Sequence, residues 1–472
     1  MLHMEAGDLQ LTASGSRTEQ LFHAIRHKIV SQLWPLNGKL PSTRQLAQEL
    51  NMSRNTVIAA YEQLVAEGYI ESRQGSGFYV AVALPEQFVP DVVIKDVQTK
   101  AMKEPHLQRA FRPGVGDFEV FPYRLWQSML QRHSSRRILM GSHDPQGLPE
   151  LRHALSDYLA SSRSVSCDPS RIIITSGAQQ ALALALLATL SSGDDIMMEQ
   201  PGYTQMRTII NTLGYRIKPI PVRPISGLDL DHVLKQQARA LYLTPSNQYP
   251  MGTTLNTEQR LALIQWAQTN KSWIIEDDYD SEFQFAHRPY TSMQGLAAKI
   301  GLDQHLLYVG SFSKILFNGL RLGYLVVPRD LVDKCVMLKN VLTGDTPAHS
   351  QAALADFMME GHLLRHIRKM RRHYQTKREL MVEALHRYLG DKVDIISQAA
   401  GLHITLRWQT GITEQQWVEA AQKEQLMIRA MSYYDEANFA TRGWHGVVLG
   451  FGNAPLEKID EDIRRLAKAF AG

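Results

Sequence analysis

Cysteine is nearly absent from this sequence, which contains only Cys167 and Cys335 among 472 residues. Two thiols in a chain of this length exclude a disulfide framework and favour a reducing compartment, so we expect a cytoplasmic protein. Long apolar runs are missing too. The longest, residues 181–190, is well short of the roughly 18 residues that a membrane helix needs, so we expect a buried helix there and no membrane partner. The first residues, MLHMEAGDLQLT, lack the apolar core of a secretory signal.

A large excess of charge of one sign is also missing. The net charge is +4, with 51 Lys and Arg against 47 Asp and Glu, so any binding to nucleic acid must depend on where the basic residues lie. Hydrophobic residues make up 44% of the chain and charged residues 21%, as is typical of soluble globular proteins. At this length we expect two or three domains.

The first domain predicted from the sequence spans residues 14–80. Apolar residues recur at helical spacing up to Leu33, which predicts a helix over residues 19–33. Ser42, followed three residues later by Gln45, predicts a capping box and therefore the start of a second helix.

A third helix is expected from Ser53 to about Glu67, after a short turn. Residues 69–80 alternate around Gln-Gly-Ser-Gly, which predicts a hairpin. Together these elements form a winged helix-turn-helix, an α+β fold whose third helix presents its first turn to the major groove. The expected contacts to double-stranded DNA are Arg44, Ser53, Arg54, Asn55, Thr56, Arg73 and Gly77. A winged-helix module that binds protein is the alternative.

The rest of the chain predicts a linker and a large second domain. Residues 81–108 have mixed charge, several prolines and no sustained period, which is typical of a linker. Over residues 109–472 helical and strand patterns alternate, which favours a mixed, mostly parallel α/β sheet followed by a small C-terminal α/β lobe. The predicted strands span residues 171–176, 195–200, 216–222, 238–245, 272–278, 305–312 and 323–328.

Lys314 is the candidate catalytic residue, since it stands between small residues just after a predicted strand, in SFSKILFNGLRLGY. A lysine there can form a Schiff base with an aldehyde. Pyridoxal 5'-phosphate would further need an anion near its ring nitrogen, donors for its phosphate and a flat surface against the ring. Asp277, at the end of a buried strand, is the candidate anion, and Tyr279 could bond the ring oxygen beside the imine.

The phosphate site is predicted at a glycine turn. TSGAQQAL predicts a strand, a turn and a helix start, where backbone N–H groups can hold an anion. Tyr203, after the end of another strand, could stack on the ring. The residues expected at the phosphate are Gly177, Ala178, Gln179, Ser311, Ser313 and Arg321.

Two family resemblances are carried by these motifs. Residues 40–80, with Leu-Pro-Ser, Ser-Arg-Asn-Thr-Val and Gly-Ser-Gly, resemble the DNA-binding domain of GntR regulators. Residues 111–472, with TSGAQQAL, QPGYTQMR, IIEDDYDSEFQF and GSFSKILFNGLRLGY in order, resemble fold-type I aminotransferases, which have the PLP-dependent transferase fold. The whole chain is similar to MocR/GabR-type regulators. The resemblance implies a multidomain chain and a domain-swapped homodimer, in which each head packs on the partner's body.

The resemblance also implies the site residues. Lys314 would be the Schiff-base lysine, with Asp277 on the pyridine nitrogen, Tyr279 on the ring oxygen and Tyr203 stacked on the ring. Arg321 and Ser311 would hold the phosphate.

The chain departs from the aminotransferase pattern near the ring. Such enzymes often have Asn-Pro at the ring oxygen, where this chain has Tyr249-Pro250, and Asn247 or Gln248 could substitute. Asn318 stands where a proline is common, and Ser-His-Asp-Pro replaces Tyr-Gly-Asp-Pro at residues 142–145.

The usual carboxylate-binding arginine is also missing, since the aligned position is Val448. Arg429 is the best replacement, with Arg207 and Arg442 weaker candidates. We therefore expect a DNA-binding transcriptional regulator that senses an amine, an amino acid or the B6 cofactor itself through Lys314. The alternatives are an active aminotransferase with an accessory DNA-binding head, and a scaffold that only dimerises the heads.

No metal site is expected. His362 and His366 are four residues apart on a predicted helix, a spacing that can share a metal. Basic residues surround them and no acidic or cysteine ligand lies nearby, so a solvated basic helix at a subunit contact is the favoured interpretation. Cys335 is expected in the core.

Overall fold

The structure is a computed structural model that describes residues 9, 11, 15–82, 109–286, 290–435 and 442–471. The chain divides into two compact units, Met1–Lys103 and Glu104–Gly472. The first unit contains the head and the second the body. The predicted linker lies outside the described residues except for its first two positions.

The head is a winged helix-turn-helix with three helices and a hairpin. Its elements are α1 (Arg17–Val30), α2 (Thr43–Glu49), α3 (Arg54–Ala66), β1 (Ile70–Arg73) and β2 (Gly77–Val80). The strands are antiparallel, and Ile70 pairs with Val80. Helix α3 buries one face against α1 and α2, with Val57, Ala60, Tyr61 and Leu64 fully buried. This apolar packing fixes the orientation of α3, and the polar residues of its first turn stay exposed.

Two details of the head differ from the sequence predictions. Helix α1 ends at Val30, and Leu33 is 60% exposed rather than buried. Ser42 caps α2 by accepting from the Gln45 N–H, but the Gln45 side chain donates to Glu49 instead of returning to the cap. The predicted capping box is therefore only half formed, because the i,i+4 partner competes for the amide.

The body is built on an eight-stranded mixed sheet, as predicted. Its strands are β3 (Ile172–Thr175), β4 (Asp195–Gln200), β5 (Arg216–Arg223), β6 (Gly227–Leu228), β7 (Ala240–Leu243), β8 (Trp273–Asp278), β9 (Leu306–Ser311) and β10 (Gly323–Val326). Their order is β3-β10-β9-β8-β7-β4-β5-β6. Strands β9, β8, β7, β4 and β5 run parallel, whereas β10 is antiparallel to both neighbours. All seven predicted strands are present, and the two-residue β6 is the one strand of this sheet that was not predicted.

Helices cover both faces of this sheet. They are α4 (Tyr123–Ser134), α5 (Pro149–Arg163), α6 (Ala178–Thr189), α7 (Thr204–Thr212), α8 (Leu230–Leu234), α9 (Thr257–Asn270), α10 (Met293–Lys299), α11 (Val332–Thr343), α12 (Ala348–Met359) and α13 (His362–Leu389). Alternate residues of β3 enter different cores: Ile173 packs with α6, whereas Ile172 and Ile174 pack with α5 and α12. Near-continuous apolar strands are what a doubly covered sheet requires.

The small C-terminal lobe has a four-stranded antiparallel sheet. Its elements are β11 (Asp394–Ile395), β12 (His403–Trp408), α14 (Glu414–Lys423), β13 (Arg429–Ala430), β14 (His445–Gly450) and α15 (Ile459–Ala471). The strand order is β11-β12-β14-β13. Helices α13, α14 and α15 share a core in which Trp417 is fully buried.

Helix α13 is amphipathic: Arg365, Arg368, Lys369 and Arg372 are exposed, as a solvated basic helix requires, but one of the two histidines is buried. His366 is 5% exposed, and its Nε2 lies 3.0 Å from the Ile315 carbonyl. Burial lowers the pKa of His366 to about 4. His362 instead contacts Glu360 and Arg365 near the start of the helix. The two imidazoles serve separate contacts, and the described residues contain no cluster of three potential metal ligands.

Cys335 lies in the core as expected. Among the described residues, no helix has the length and apolar character needed to span a bilayer.

Candidate functional site

The central sheet positions a cavity of about 290 Å³ at the carboxyl ends of its parallel strands. Ligands of open α/β sheets bind at this edge, because the loops that follow the strands converge there. Nine predicted cofactor residues line the cavity: Lys314, Asp277, Tyr279, Tyr203, Arg321, Ser311, Ser313, Ala178 and Gln179. Gly177 lies just behind the lining, next to Arg321.

Lys314 brings a primary amine into this cavity. It follows β9 by three residues, and its Nζ donates to the Gly114 carbonyl. Burial lowers the pKa of Lys314 to about 8, with Asp280 opposing the shift and Arg112 adding to it. About half of the amine is therefore uncharged at pH 8, and the uncharged form is the one that attacks a carbonyl.

Asp277 supplies a buried carboxyl group at the end of β8. Its Oδ2 accepts from the Tyr242 hydroxyl at 2.7 Å, whereas Oδ1 is buried with no partner among the described residues. Burial raises the pKa of Asp277 to about 7, despite the Tyr242 hydrogen bond. An unpaired buried carboxyl oxygen is costly, so this atom marks a place where a ligand N–H group would be stabilised.

The N-terminus of α6 forms an anion cradle beside these groups. Its N-cap is Gly177, with φ of 97° and no capping side chain, so the first-turn N–H groups have no capping acceptor. A Cβ added at Gly177 would lie 3.5 Å from the Arg321 guanidinium, which places that cation over the turn. Helix dipole and guanidinium together favour a phosphate.

The strand β10 and the loop before it complete the cradle. Arg321 donates to the Ser176 carbonyl at 2.9 Å, and Ser311 and Ser313 pair through their hydroxyls at 2.9 Å. Gly323 approaches the backbone of Gly177 so closely that an added Cβ would lie 2.8 Å from its carbonyl carbon. The glycines in GLRLGY and TSGAQQAL therefore permit the two segments to meet.

Tyr279 and Tyr203 line the cavity, but the nominated amides do not. The Tyr279 hydroxyl donates to the Asn247 carbonyl at 2.9 Å. The Asn247 side chain donates to Asp280 and lies outside the lining. Gln248 is also outside it, donating to Pro201 and Tyr249 carbonyls. Neither amide therefore faces the cavity as a substitute for Asn-Pro.

The three candidate carboxylate-binding arginines separate in the structure. Arg429, on β13, lines the cavity and lies 4.4 Å from the Tyr433 ring centre. It pairs in register with Val448 of β14, so the chain carries an arginine on the strand beside the usual position. Arg207 donates to the Tyr434 carbonyl outside the lining, which argues against it. Arg442 is buried in ion pairs with Glu414 and Asp435.

Several residues of the cavity were not nominated from the sequence. Tyr249 and Tyr434 join through their hydroxyls at 2.8 Å and contact each other edge-on. Burial raises the pKa of Asp280, near Lys314, to about 8. The overlooked lining residues include Tyr242, Thr244, Tyr249, Asp280, Asn318, His403, Tyr433 and Tyr434. Tyr249 and Asn318 were noticed in the sequence only as departures from the aminotransferase pattern, and some of the others follow strand ends; their contacts are with distant parts of the chain.

The second candidate site is the first turn of α3 in the head. Ser53 caps the helix, accepting from the Thr56 N–H at 3.1 Å and lying 2.8 Å from the Thr56 hydroxyl. Arg54, Asn55 and Arg44 are exposed and make no side-chain hydrogen bond or ion pair with other described residues. The cap thus fixes the turn and leaves these three side chains available.

The hairpin of the head is more constrained than expected. Arg73 pairs with Glu71 at 2.6 Å, donates to Asn37 and lies 4.3 Å from the Tyr79 ring centre. Lys39 lies over the other side of the turn, 3.5 Å from a Cβ added at Gly77. Contact of Arg73 with DNA would therefore replace bonds inside the hairpin.

The residues of the cavity fit pyridoxal 5'-phosphate. A buried amine, a partnerless buried carboxyl oxygen and an uncapped helix start with an adjacent arginine all face one space. These are the groups that an aldehyde, a protonated ring nitrogen and a phosphate each require.

Comparisons with known proteins match both parts of the chain. Residues 114–441 match the model for aminotransferase class I and II. Residues 17–80 match the model for bacterial regulatory proteins of the gntR family.

Curated relatives align along nearly the whole chain. The probable rhizopine catabolism regulatory protein MocR of Rhizobium meliloti is 34% identical over 96% of this chain and 93% of its own length. The pyridoxine biosynthesis transcriptional regulator PdxR of Corynebacterium glutamicum is 31% identical over 94% of this chain and 93% of its own.

Solved aminotransferases share the fold of the body. The α-aminoadipate aminotransferase LysN of Thermus thermophilus, complexed with a phosphopyridoxyl-leucine, has a TM-score of 0.71 at 25% identity. The match covers 78% of this chain and 92% of that one. The Pyrococcus horikoshii kynurenine aminotransferase, in complex with PMP, has a TM-score of 0.69 at 25% identity over 77% of this chain and 90% of that one.

Proposed function

Because this chain belongs to the MocR-type regulators, which join a gntR-family head to an aminotransferase class I and II body, we propose that it is a transcriptional regulator controlled by pyridoxal phosphate. Its head binds double-stranded DNA. Its body holds the cofactor and senses a small amine or amino acid there.

One observation carries this proposal. The Lys314 amine and the partnerless Oδ1 of Asp277 share one cavity with the uncapped start of α6. A protein that kept the fold only as a scaffold would have no need for a buried amine and an unpaired buried carboxyl group, each of which costs stability.

The cofactor would supply an aldehyde that condenses with a primary amine and a protonated ring that withdraws electrons. Lys314 provides the amine. Asp277 would accept a hydrogen bond from the ring nitrogen and keep it protonated, while Tyr242 holds the other carboxyl oxygen in place. Ser311, Ser313 and Arg321, with the first turn of α6, bind the phosphate.

Arg429 positions the anionic group of an amino-acid effector. It lines the same cavity as the phosphate cradle, and Tyr433 fixes its guanidinium plane. Since a guanidinium donates in a planar fork, it matches a carboxylate well. An effector bound there would favour one state of the body, and differential affinity for two states would then alter DNA binding by the heads.

The head would read DNA through α3. Arg54 and Asn55, exposed in the first turn, suit guanine and adenine edges in the major groove. Arg44 and Ser53, the N-cap residue of α3, are placed for phosphate contacts. Such contacts set the register of the protein on the duplex and contribute affinity. If the winged helix bound protein instead of DNA, the exposed positions of Arg54 and Arg44 would have no explanation.

The regulator would act as a homodimer with each head on the partner's body. The strongly exposed apolar side chains of the body include four on two neighbouring segments: Ile138 at 72%, Met140 at 68%, Val341 at 77% and Leu342 at 56%. The segments that carry them are neighbours, since the His143 N–H donates to Asp345 at 2.9 Å. Such a patch favours association, and light scattering of the wild type and of Val341→Lys would test it.

An active aminotransferase is the second candidate, because Lys314, Asp277 and Arg321 are all in place for chemistry. Sustained conversion of an amino acid and a keto acid, lost in Lys314→Ala, would favour it. A single turnover that stops at the aminated cofactor would favour the regulator.

The decisive experiment combines cofactor and DNA binding in the full chain. Lys314→Ala should lose covalent cofactor, measured by borohydride trapping and intact mass, whereas exposed Lys299→Ala should retain it. Arg54→Ala should weaken specific relative to non-specific DNA binding by about 1–3 kcal/mol, with exposed Arg17→Ala as control. A protein that takes up no cofactor would contradict the proposal, and so would a DNA footprint that is the same for Arg54→Ala and the wild type.

A further inference from the structure

A second arginine, Arg112, directly precedes two residues that line the cavity, and its pKa is affected by the charge of Arg429. The segment before it joins the small lobe: Ala110 accepts from the Met427 N–H at 2.9 Å, and Phe111 accepts from the Gly450 N–H at 2.9 Å. Arg429 follows Met427 by two residues, as Arg112 follows Ala110. The backbone thus brings both side chains to the same place, and Pro113 and Gly114 after Arg112 line the cavity itself.

The positive charges of Arg112 and Arg429 interact, and no carboxylate of the described residues pairs with either. Arg112 makes no side-chain hydrogen bond in the part of the chain that the structure describes. Burial lowers the pKa of Arg112, and the charge of Arg429 lowers it further. Both side chains are half-buried, so solvent screens their repulsion only in part.

Like charges held together at half-buried positions destabilise a protein unless a ligand compensates them. Other buried arginines of the body have firm partners: Arg163 pairs with Asp278, and Arg442 with Glu414 and Asp435, whereas Arg260 donates to three backbone carbonyls. Arg321 faces the predicted phosphate site. Arg112 and Arg429 are therefore the charges that the cofactor would leave uncompensated.

We propose that Arg112 and Arg429 form a two-guanidinium site selecting an effector amine that carries two negative charges, as an amino dicarboxylic acid or an aminoalkylphosphonate does. The inference rests on the proposed function, since the amine of the same effector would meet the cofactor at Lys314. Two charges match two guanidiniums, whereas a monoanion leaves one of them uncompensated. Arg429 alone would bind a carboxylate, and Arg112 sets the preference for the second charge.

The experiment uses ligand pairs that match in size and differ in charge. L-Glutamate is compared with L-glutamine, and 3-aminopropylphosphonate with 3-aminopropanesulfonate, by calorimetric and spectroscopic titration of the cofactor-loaded full chain. The first pair probes a second carboxylate and the second pair a doubly charged phosphonate. Wild-type protein should bind the dianion of at least one pair about tenfold more tightly than its partner.

Arg112→Gln should bring that ratio close to one, and Arg112→Lys should restore part of it. Arg109→Gln, in the same segment, is the matched control and should keep the wild-type ratio. An unchanged ratio in Arg112→Gln, equal binding of both members of each pair by wild-type protein, or no binding of any of the four probes would overturn the inference. Failure of the proposed function differs from all of these, because the wild-type protein would then show no cofactor absorbance before any effector is added.

Discussion

The most direct test of the cavity is the pH dependence of the reaction between Lys314 and an aldehyde. Burial lowers its pKa from 10.5 to about 8. The group is a base, so below pH 8 the ammonium form prevails and cannot attack an aldehyde. At pH 8 about half of the Lys314 amines would be free, against roughly 0.3% of an ordinary lysine, a ratio of about 150.

Two neighbouring charges shift the pKa of Lys314 in opposite directions, so removing each of them should move the inflection in a known direction. Arg112 lowers the pKa of Lys314, so Arg112→Gln should move the inflection to higher pH. Asp280 raises the pKa of Lys314, so Asp280→Asn should move it lower. Burial raises the pKa of Asp280 itself to about 8, so its effect should be clearest above that pH.

The assay is the rate of cofactor capture by cofactor-free full-length protein between pH 6.5 and 9.5, followed by absorbance. Each rate is divided by that for N-acetyl-lysine amide under the same conditions, because the ratio cancels ionisation of the reagent. Within this range the ratio should fall from about 150 at pH 8 to about 10 at pH 9.5. An inflection near that of free lysine, or shifts of the same sign in both variants, would refute the electrostatic argument.

Three further predictions concern packing. Arg163 is 1% exposed and pairs with Asp278 at 2.6 Å, so Arg163→Met should lower the free energy of unfolding of the body by about 3–5 kcal/mol in urea titrations; a loss below about 1 kcal/mol would contradict a buried pair. Gly323→Ala puts a Cβ 2.8 Å from the turn before α6 and should weaken cofactor binding at least about tenfold, whereas unchanged affinity would mean that the cradle can open. Leu64→Ala should destabilise the head by about 2–5 kcal/mol, and Val65→Ala, 37% exposed, should not; the midpoint of loss of DNA binding in urea reports both.

The architecture could be predicted because its signals are local. Alternation of apolar strands with helical periods predicts a covered mixed sheet, and a glycine turn between β3 and α6 marks its ligand edge. Asp277 lies at the carboxyl end of β8, Lys314 follows the neighbouring β9, and Arg321 belongs to the loop between β9 and β10. Each could therefore be placed in one site before any distance was known.

The ligand end of the cavity could not be predicted in the same way. Strand β13 has only two residues, too few for a recognisable pattern, so the register between Arg429 and Val448 was invisible. Arg112 sits in an irregular segment whose neighbour, Arg429, is distant in sequence. Arg207 remained a weaker candidate beside Arg429, because the sequence does not reveal that its guanidinium donates to the Tyr434 carbonyl.

Asn318, which stands where aminotransferases commonly have a proline, contacts the same backbone oxygen as Lys314. Its Nδ2 lies 3.5 Å from the Gly114 carbonyl, the same oxygen to which Lys314 donates. If Lys314 is engaged elsewhere, that carbonyl needs another donor, and a proline at position 318 has no side-chain N–H to offer. Gly114 belongs to the segment that also carries Arg112. Residues 112–114, in the first part of the body after the linker, therefore contact the Lys314 amine and contribute to the proposed anion site. Binding of a ligand at either place would change the contacts of this segment.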